Sequence, residues 1–505
     1  MEKYKSGAMK IPQVLIYTCL LTLGVSLFIY LDIKDISLLY DDVYSIFMAK
    51  ASYTDIINIT ASDVHPPLYY WCLKFFTSFF GDSLFSFRVF STLGIIAVLL
   101  LGCFPIRRLF GDKAAITFML LIIIFPVTQY LTTEIRMYSW TMFFVLACVL
   151  SAYQAFENGG RIHWVLFFVT GLCAAYLHNY GLLSVFGIYV VFFFFLIRTR
   201  KKLTYLILCG VAFFIAYLPW LIQLWEQVDN VSSDYWIKPL TMNDIFLHIY
   251  YFYSPKEIWL PFTNFTKGQM MTGLIILMAI QLTLTIKVLL SGNTKKDRIS
   301  LLAIFSFITF LIPIAIGFII SVVYLPILVT RYMTCSFGLF ILSLAFVLVR
   351  AMEFPVCKRL SYVFLLLLFF TGGVRLYSGV NYYNRTESAY QEIRQFVKDG
   401  GRGKKTLVVN DFSYHVMPRL QMIAPDNECF VLLTGKGKED FHPFRIQEIR
   451  PEDFVAEEFI LVHQDREAIQ DDFRQYRQSL DNRYVAIDSL HATDIRLYHM
   501  KKITP

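Results

Sequence analysis

IPQVLIYTCLLTLGVSLFIYL, residues 11–31, is an uninterrupted run without a charged side chain. A helix of this length is about 30 Å long, which matches the hydrocarbon core of a bilayer. Runs of the same kind recur at Leu203–Trp225 and Ile299–Val323. A secretory signal peptide would supply one such run near the start of a chain, not a series of them. The sequence therefore predicts a protein that crosses a membrane many times.

The composition supports the same prediction. Of the 505 residues, 56% are hydrophobic and 17% are charged, whereas soluble domains carry about a quarter charged residues. The net charge of +8 raises the question of nucleic-acid binding, but the basic clusters fall between apolar runs, as cytoplasmic loops require. We therefore expect membrane lipids, and no nucleic acid, as partners. The clusters are Arg107, Arg108 and Lys113; Arg198, Arg200, Lys201 and Lys202; Lys295, Lys296 and Arg298; and Lys358 and Arg359.

The charges of the loops also predict an orientation. Lys3, Lys5 and Lys10 precede the first run, so we expect a cytoplasmic N-terminus. Leu68–Phe80 is apolar but too short to span, which predicts an interfacial or re-entrant helix. Run lengths give about eleven spans, and the last one leaves the C-terminal tail outside. The predicted spans are Ile11–Leu31, Phe85–Pro105, Ala114–Tyr130, Tyr138–Phe156, two within His163–Arg198, Leu203–Trp225, Met270–Leu290, Ile299–Val323, Tyr332–Val349 and Ser361–Tyr377.

The composition changes sharply near Val380, which predicts two domains: a transmembrane domain over residues 1–379 and a soluble extracytoplasmic domain over residues 380–505. Ser388–Asp399 and Asp465–Leu480 have the pattern of amphipathic helices. Short runs rich in β-branched and aromatic residues predict strands between and after them. The alternation favours a small α/β domain. The predicted strands are Thr406–Val409, Phe430–Leu433, Phe459–Val462, Tyr484–Ile487 and Ile495–Tyr498.

Ionisable residues gather at the predicted outer ends of the spans. Each has a simple structural explanation of its own: a solvated acidic loop, a helix cap, or an arginine that reaches the headgroups. These separate explanations do not account for all of the residues sharing one membrane depth. Ionisable residues in an apolar protein indicate a functional site. The set comprises Asp41, Asp42, Asp63, His65, Glu134, Arg136, His178 and Arg331.

The chemistry of these side chains suits a group transfer. A carboxylate can act as a general base on an acceptor hydroxyl. Arginine and histidine can neutralise a departing phosphate in an apolar setting, where charge-assisted contacts are strong. In the adjacent pair Asp41 and Asp42, repulsion between like charges raises one pKa and leaves a better base.

The order of the motifs resembles the bacterial branch of the GT-C glycosyltransferases, in particular the protein O-mannosyltransferases and the lipid A aminoarabinose transferases. The resemblance extends from the N-terminus to about residue 350, and the ordered set carries it rather than any single motif. It implies an all-α polytopic GT-C fold with interfacial helices. The motifs are Asp41-Asp42, HPPLYY at 65–70, Gly81-Asp82 with Arg88, EIRMY at 134–138, Tyr176-Leu177-His178, and Pro326 with Arg331-Tyr332.

The resemblance also implies a role for each residue. Asp41 is the general base with Asp42 as its helper, although the family usually has Asp-Glu at this pair. Glu134 orients the acceptor or Arg136. The residues implied to bind the donor and its lipid phosphate are His65, Tyr69, Arg88, Arg136, Tyr138, His178 and Arg331; among them His65 and Tyr69 shape the donor pocket, while Arg136, Arg331 and His178 hold the phosphate.

We therefore expect inverting transfer of a sugar from a polyprenyl-phosphate donor to a hydroxyl of a glycan, lipid or protein, at the outer face of the bacterial cytoplasmic membrane. The sequence requires no cofactor and has no metal-ligand cluster, and it leaves metal dependence open. A surface-polysaccharide polymerase or ligase is one alternative, but it would normally lack an acidic pair in the first outer loop. A transporter or flippase of lipid-linked sugars is another; it predicts charged or broken helices at the midplane and pseudo-symmetric halves.

Overall fold

The structure is a computed structural model that describes residues 11–199, 202–231, 237, 239–255, 266–291, 298–399, 407–410, 416–423, 429–432, 447–449, 454–464, 483–492 and 495–503. Its helices are α1 Ile11–Lys34, α2 Tyr40–Lys50, α3 Tyr53–Ser62, α4 Leu68–Phe80, α5 Leu84–Leu101, α6 Arg107–Phe110, α7 Asp112–Ile124, α8 Pro126–Thr133, α9 Tyr138–Asn158, α10 Arg161–Leu177, α11 Asn179–Thr199, α12 Leu203–Val231, α13 Met242–Tyr251, α14 Lys267–Leu290, α15 Arg298–Val323, α16 Phe337–Ala351, α17 Pro355–Asp399 and α18 Val416–Ile423. A π-helical turn at Gly102–Ile106 and a 3₁₀ segment at Thr330–Ser336 join neighbouring helices.

The helical membrane architecture predicted from the sequence is confirmed. Within the described ranges, 9 helices are long and apolar enough to cross a membrane. Helices α7 and α8 form a bent pair that would make a tenth span, and α10 is a shorter apolar helix. The short helix α4 has the predicted bounds Leu68–Phe80 and is not among the spanning helices.

The bend between α7 and α8 was not predicted, because the sequence was interpreted as one span over Ala114–Tyr130. Pro126 begins α8 and Phe125 before it is extended, so the two helices meet at 61°. The break frees main-chain carbonyls inside the protein. Thr128 Oγ1 donates to the carbonyl of Ile122 at 2.5 Å, and Gln129 Nε2 donates to that of Ile123 at 3.1 Å. Side chains thus satisfy the groups that the break exposes, as a membrane interior requires.

Helices α5 and α9 pack closely through small residues. A Cβ on Gly94 would lie 2.8 Å from the backbone nitrogen of Trp140, so only glycine allows this approach. Ser139 Oγ donates to the carbonyl of Ser91 at 2.6 Å, and Trp140 Nε1 donates to that of Phe90 at 2.8 Å. These contacts fix the start of α9, which carries part of the site described below.

The chain divides into two compact units, Met1–Ile33 with Ser52–Val380, and Lys34–Ala51 with Asn381–Pro505. The second unit contains a six-stranded sheet with the order β3-β2-β1-β4-β6-β5. Strands β1 to β4 pair in parallel, whereas β6 pairs antiparallel with β4 and β5. The strands are β1 Leu407–Asn410, β2 Cys429–Leu432, β3 Gln447–Ile449, β4 Glu458–Gln464, β5 Tyr484–Ala492 and β6 Ile495–Lys502.

The small α/β domain predicted from the sequence is confirmed, with two differences and one predicted element left untested. Strand β3 and helix α18 were not predicted, because Gln447–Ile449 is too short to give an alternating pattern and α18 has only 8 residues. The predicted helix Ser388–Asp399 is the last part of α17. The predicted helix Asp465–Leu480 lies outside the described residues.

Candidate active site

Four aromatic side chains from separate parts of the first unit form a buried cluster, which we call the ring cluster: His65, Tyr138, His178 and Tyr332. The centroid of the His178 ring lies 5.0 Å from that of His65, 5.5 Å from that of Tyr138 and 4.8 Å from that of Tyr332. Tyr332 also contacts His65, at 5.9 Å, and Tyr138, at 6.3 Å. The sequence-predicted residues His65, Tyr138 and His178 are therefore brought together.

Local sequence explains how the two histidines reach this position. Pro66 and Pro67 prevent α4 from extending backwards, so His65 stays in the loop before that helix. His178 is extended and separates α10 from α11. Its Nδ1 accepts a hydrogen bond from the backbone N–H of Tyr180 at 2.9 Å, which caps the first turn of α11.

Two arginines flank the ring cluster. Arg136 is 3% exposed, and its Nη1 donates to the hydroxyl of Tyr70 at 3.1 Å. Arg331 lies in the 3₁₀ segment beside Tyr332, with its guanidinium carbon 5.9 Å from the centroid of that ring. Both positive charges act on His65 and His178. The site is therefore a buried, positively charged environment with aromatic walls.

The two histidines are neutral in this environment. Burial is the main cause that lowers the pKa of His178, to about 3, and the charges of Arg136 and Arg331 lower it further. Burial also lowers the pKa of His65 well below its usual value, with smaller contributions from Arg136, His178 and Arg331. Because Nδ1 of His178 accepts a hydrogen bond, the proton of the neutral ring is on Nε2. The positive charge of the site thus comes from the arginines, and His178 offers one N–H donor.

Glu134 closes α8 and is buried, at 4% exposure. Its carboxylate accepts a short hydrogen bond from the hydroxyl of Tyr130, one turn earlier in the same helix. Burial and the charge of Glu134 both raise the pKa of Tyr251. The predicted role for Glu134, orienting an acceptor or Arg136, stays a prediction.

Tyr69 and Arg88 are deeply buried in the first unit. The hydroxyl of Tyr69 is 2.7 Å from Oγ of Ser91, a hydrogen bond that joins α4 to α5. Arg88 is fully buried within α5. The neighbouring Tyr70, which was not predicted, is the tyrosine of α4 that binds Arg136.

Asp41 and Asp42 occupy the first turn of α2 in the second unit. The carboxylate of Asp42 accepts a hydrogen bond from the backbone N–H of Leu39 at 3.0 Å and is almost completely buried. Asp41 is half-buried, and its main-chain carbonyl accepts from Ser45 Oγ. Asp42 therefore stabilises the start of the helix, which distinguishes it from its neighbour.

Comparison with known proteins identifies the fold. Residues 64–223 match the family model of dolichyl-phosphate-mannose-protein mannosyltransferases. ArnT from Cupriavidus metallidurans in the apo state superposes with a TM-score of 0.58 at 11% identity, covering 95% of this chain and 97% of that chain. The structure of the same protein bound to undecaprenyl phosphate gives a TM-score of 0.58 at 10% identity, with the same coverage. The chain has the fold of the GT-C glycosyltransferase superfamily. A search of curated protein sequences found no match.

Within this GT-C fold, the segment that matches the family model contains His65, Arg136, Tyr138 and His178. Tyr332 is the main residue that the sequence interpretation left out of the site, although it contacts every other member of the ring cluster. Its position next to Arg331 was the available signal. No group of three or more histidines, cysteines, aspartates or glutamates that could hold a metal ion occurs among the described residues.

Proposed function

We propose that the protein is a membrane glycosyltransferase that moves a sugar from a polyprenyl-phosphate donor to an acceptor hydroxyl, with inversion at the anomeric carbon. The observation that carries the proposal is the pair Arg136 and Arg331 beside a ring cluster whose histidines are neutral. Guanidinium groups in a buried apolar setting bind a phosphate strongly, through charge-assisted and bidentate hydrogen bonds. The mannosyltransferase family match and the fold shared with ArnT, one structure of which is bound to undecaprenyl phosphate, support the proposal.

In the proposed reaction, the acceptor oxygen bonds to the anomeric carbon while the bond from that carbon to the phosphate oxygen breaks. The hydroxyl proton goes to the carboxylate of Asp41, and the electron pair leaves with the polyprenyl phosphate. Arg136 and Arg331 neutralise the charge that develops on the phosphate, and Nε2–H of His178 donates a hydrogen bond to it. The role of Asp41 rests on the resemblance of the acidic pair to the family motif, and the capping role of Asp42 favours Asp41 as the base.

The donor is tested by assaying the purified protein with polyprenyl-phosphate sugars and, separately, with the matching nucleotide sugars. We expect transfer only from the lipid-linked donors, because the phosphate site is buried among apolar residues. Transfer from a nucleotide sugar alone would contradict the donor assignment. Movement of the lipid-linked sugar across a vesicle membrane without transfer would instead favour the flippase alternative.

The base is tested with Asp41→Asn, for which Asp42→Asn is the matched control. Loss of a general base costs about 10²- to 10⁴-fold in rate, so Asp41→Asn should lose most of its turnover while it keeps donor binding. Asp42→Asn should cost mainly stability, by less than about 1 kcal/mol, because the amide oxygen can still cap α2 and only the charge is lost. Turnover and thermal stability of both variants are the measurements. The reverse pattern, with turnover lost only in Asp42→Asn, would exchange the two roles.

We further propose that the reaction takes place at the outer face of a bacterial cytoplasmic membrane, with residues 380–505 on that side. Ser62 and Ser388 are exposed, so a cysteine at either position should react with an impermeant thiol reagent added to intact cells that make a cysteine-depleted protein. A cysteine at Asn293, in a predicted basic cytoplasmic loop, should not react. Reaction at Asn293 alone would reverse the orientation.

A further inference from the structure

We infer that a cavity beside the ring cluster binds the sugar of the donor, and that Gln227 and Asn179 determine which sugar is accepted. This inference rests on the proposed function and assigns a substrate contact to side chains outside the predicted site. The cavity has a volume of about 390 Å³. His65, His178 and Tyr332 line it, so it is continuous with the ring cluster.

The hydrogen bonds of Gln227 fix which way its amide points. Gln227 is 3% exposed, and its Nε2 donates to the main-chain carbonyl of Thr60 at 2.7 Å. A carbonyl can only accept, so the amide oxygen is on the other side. Across the part of the chain that the structure describes, this buried Oε1 has no hydrogen-bond partner. This oxygen is therefore available to a ligand that donates a hydrogen bond, which would remove the cost of burying it unpaired.

Asn179 has the same arrangement on the neighbouring helix. Its Nδ2 donates to the main-chain carbonyl of Val64 at 2.8 Å, and its Oδ1 is buried with no partner from the described ranges. The cavity is therefore lined by two residues with unused acceptor oxygens.

The two amide oxygens, from Gln227 and Asn179, suit a polyhydroxy ligand. A sugar hydroxyl can donate a hydrogen bond, so two hydroxyls of one sugar can satisfy both amide oxygens. A prenyl chain would leave all of these groups desolvated and unpaired, which is unfavourable. The remaining walls are apolar and include Leu183, Leu224 and Ile320, which suit the C–H faces of a sugar ring. The arginines beside the ring cluster are near enough to His178 to lower its pKa, so the donor phosphate would bind next to the sugar.

A structural role for Gln227 makes a different prediction, and the chain provides a control. Gln223 lies one turn earlier in α12 and donates to the carbonyl of Ala61 at 3.4 Å, so both glutamines bind the end of α3. Gln223 is not a lining residue of the cavity, and its amide nitrogen also donates to Glu226. Gln223→Met and Gln227→Met therefore each remove a hydrogen bond to α3, but only Gln227 lines the cavity.

The test measures equilibrium binding by the full-length protein in nanodiscs. The ligands are undecaprenyl phosphate, its esters with glucose, mannose, galactose and arabinose, and deoxy analogues of the best binder. We expect the wild type to bind at least one sugar ester more tightly than the bare lipid. One deoxy analogue should lose roughly tenfold to hundredfold in affinity, as expected when a buried polar group is left unpaired. In Gln227→Met or Asn179→Leu that discrimination should fall to within about threefold, with affinity for the bare lipid unchanged, whereas Gln223→Met should keep it.

Each other outcome overturns the inference and identifies the cause. If the wild type binds the bare lipid but gains nothing from any sugar, or if Gln227→Met and Asn179→Leu keep the full discrimination, the cavity does not select the sugar and the proposed function stands. If Gln227→Met weakens the bare lipid and the esters equally, the cavity holds the prenyl chain or the phosphate. If no lipid phosphate binds at all, the proposed function itself fails.

Discussion

Two cavities lie at opposite ends of the same membrane helices and differ more in the hydrogen bonding of their polar side chains than in size. The cavity beside the ring cluster, about 390 Å³, lies where α11 begins and α15 ends. A second cavity, about 320 Å³, lies where α9 and α16 end, and its walls include Phe110, Phe156, Phe192 and Phe346. Similar volumes show that empty space does not distinguish a site in such a protein. The hydrogen bonding of the polar walls does: Tyr153 and Thr309 of the second cavity donate within their own helices, whereas Gln227 and Asn179 have amide oxygens with no partner among the described residues.

Charged residues at the two ends behave differently as well. At the end with the phenylalanine-lined cavity, Lys202 donates to the carbonyls of Ala155 and Phe156 at the end of α9, and Arg350 forms an ion pair with the exposed Glu353. Such contacts stabilise helix ends and contribute little beyond that. At the end with the ring cluster, Arg136 is buried and acts on two buried histidines. The comparison predicts that equivalent substitutions at the two ends will have unequal effects.

The largest expected difference concerns two arginines on one span. Arg331→Lys keeps the charge but loses planar, bidentate contact to phosphate, so activity should fall on the order of tenfold, and Arg331→Ala should lose on the order of 10²- to 10³-fold. Arg350→Lys, at the other end of the same span, should stay within about twofold because its ion pair is exposed. The measurement is kcat/KM with a lipid-linked donor. Equal tolerance of lysine at both positions would mean that Arg331 only reaches the headgroups.

An intermediate effect is expected from the aromatic residues. Tyr332→Leu removes ring contacts to three other side chains of the ring cluster, and the resulting misplacement should lower kcat/KM about tenfold. Phe346→Leu, in the phenylalanine-lined cavity, should change kcat/KM by less than about twofold because a hydrophobic swap in a core is tolerated. Thermal stability measured in parallel separates misfolding from misplacement. A loss of activity in Phe346→Leu at unchanged stability would make the second cavity part of the site.

The smallest expected effect is a dependence of stability on pH. Because the pKa of His178 is lowered in the folded protein, this side chain is protonated in the unfolded chain at pH values where it is neutral in the folded protein. Its contribution to the free energy of unfolding is therefore present above pH 6.5 and is lost as the pH falls towards 3. By pH 5 the loss for one such histidine reaches about 2 kcal/mol. His178→Asn should reduce the fall in apparent Tm between pH 7.5 and 5. Equal slopes in wild type and His178→Asn would contradict the assignment.

Span length and helix ends could be predicted from the sequence because composition alone decides them. Leu68–Phe80 and the break at His178 between two apolar helices are examples. The bend at Phe125 could not be predicted, since a proline in a membrane span often only kinks it. Its sharpness depends on Thr128 and Gln129 satisfying the freed carbonyls, which requires tertiary structure.

The site was predicted only where polar residues stand at the ends of apolar runs. His65, Tyr138 and His178 were found in this way, because span ends share one membrane depth. Gln227 could not be found, since a single glutamine near the end of a long apolar helix has no local pattern to mark it. The orientation of its amide depends on a hydrogen bond to the carbonyl of Thr60, which is distant in the sequence. The roles of Asp41 and Arg331 stay predictions until the variants are measured.

The close approach of α5 and α9 at Gly94 also affects the orientation of Arg136 during the reaction cycle. The close backbone approach at Gly94 and the hydrogen bond from Ser139 Oγ to the carbonyl of Ser91 leave little freedom for the loop of residues 134–137, which carries Arg136. A positive group held on such a frame is oriented once, during folding, and need not be reoriented in each reaction cycle. The reorganisation energy that a mobile arginine would require in each turnover is therefore already included in the folding of the helix pair.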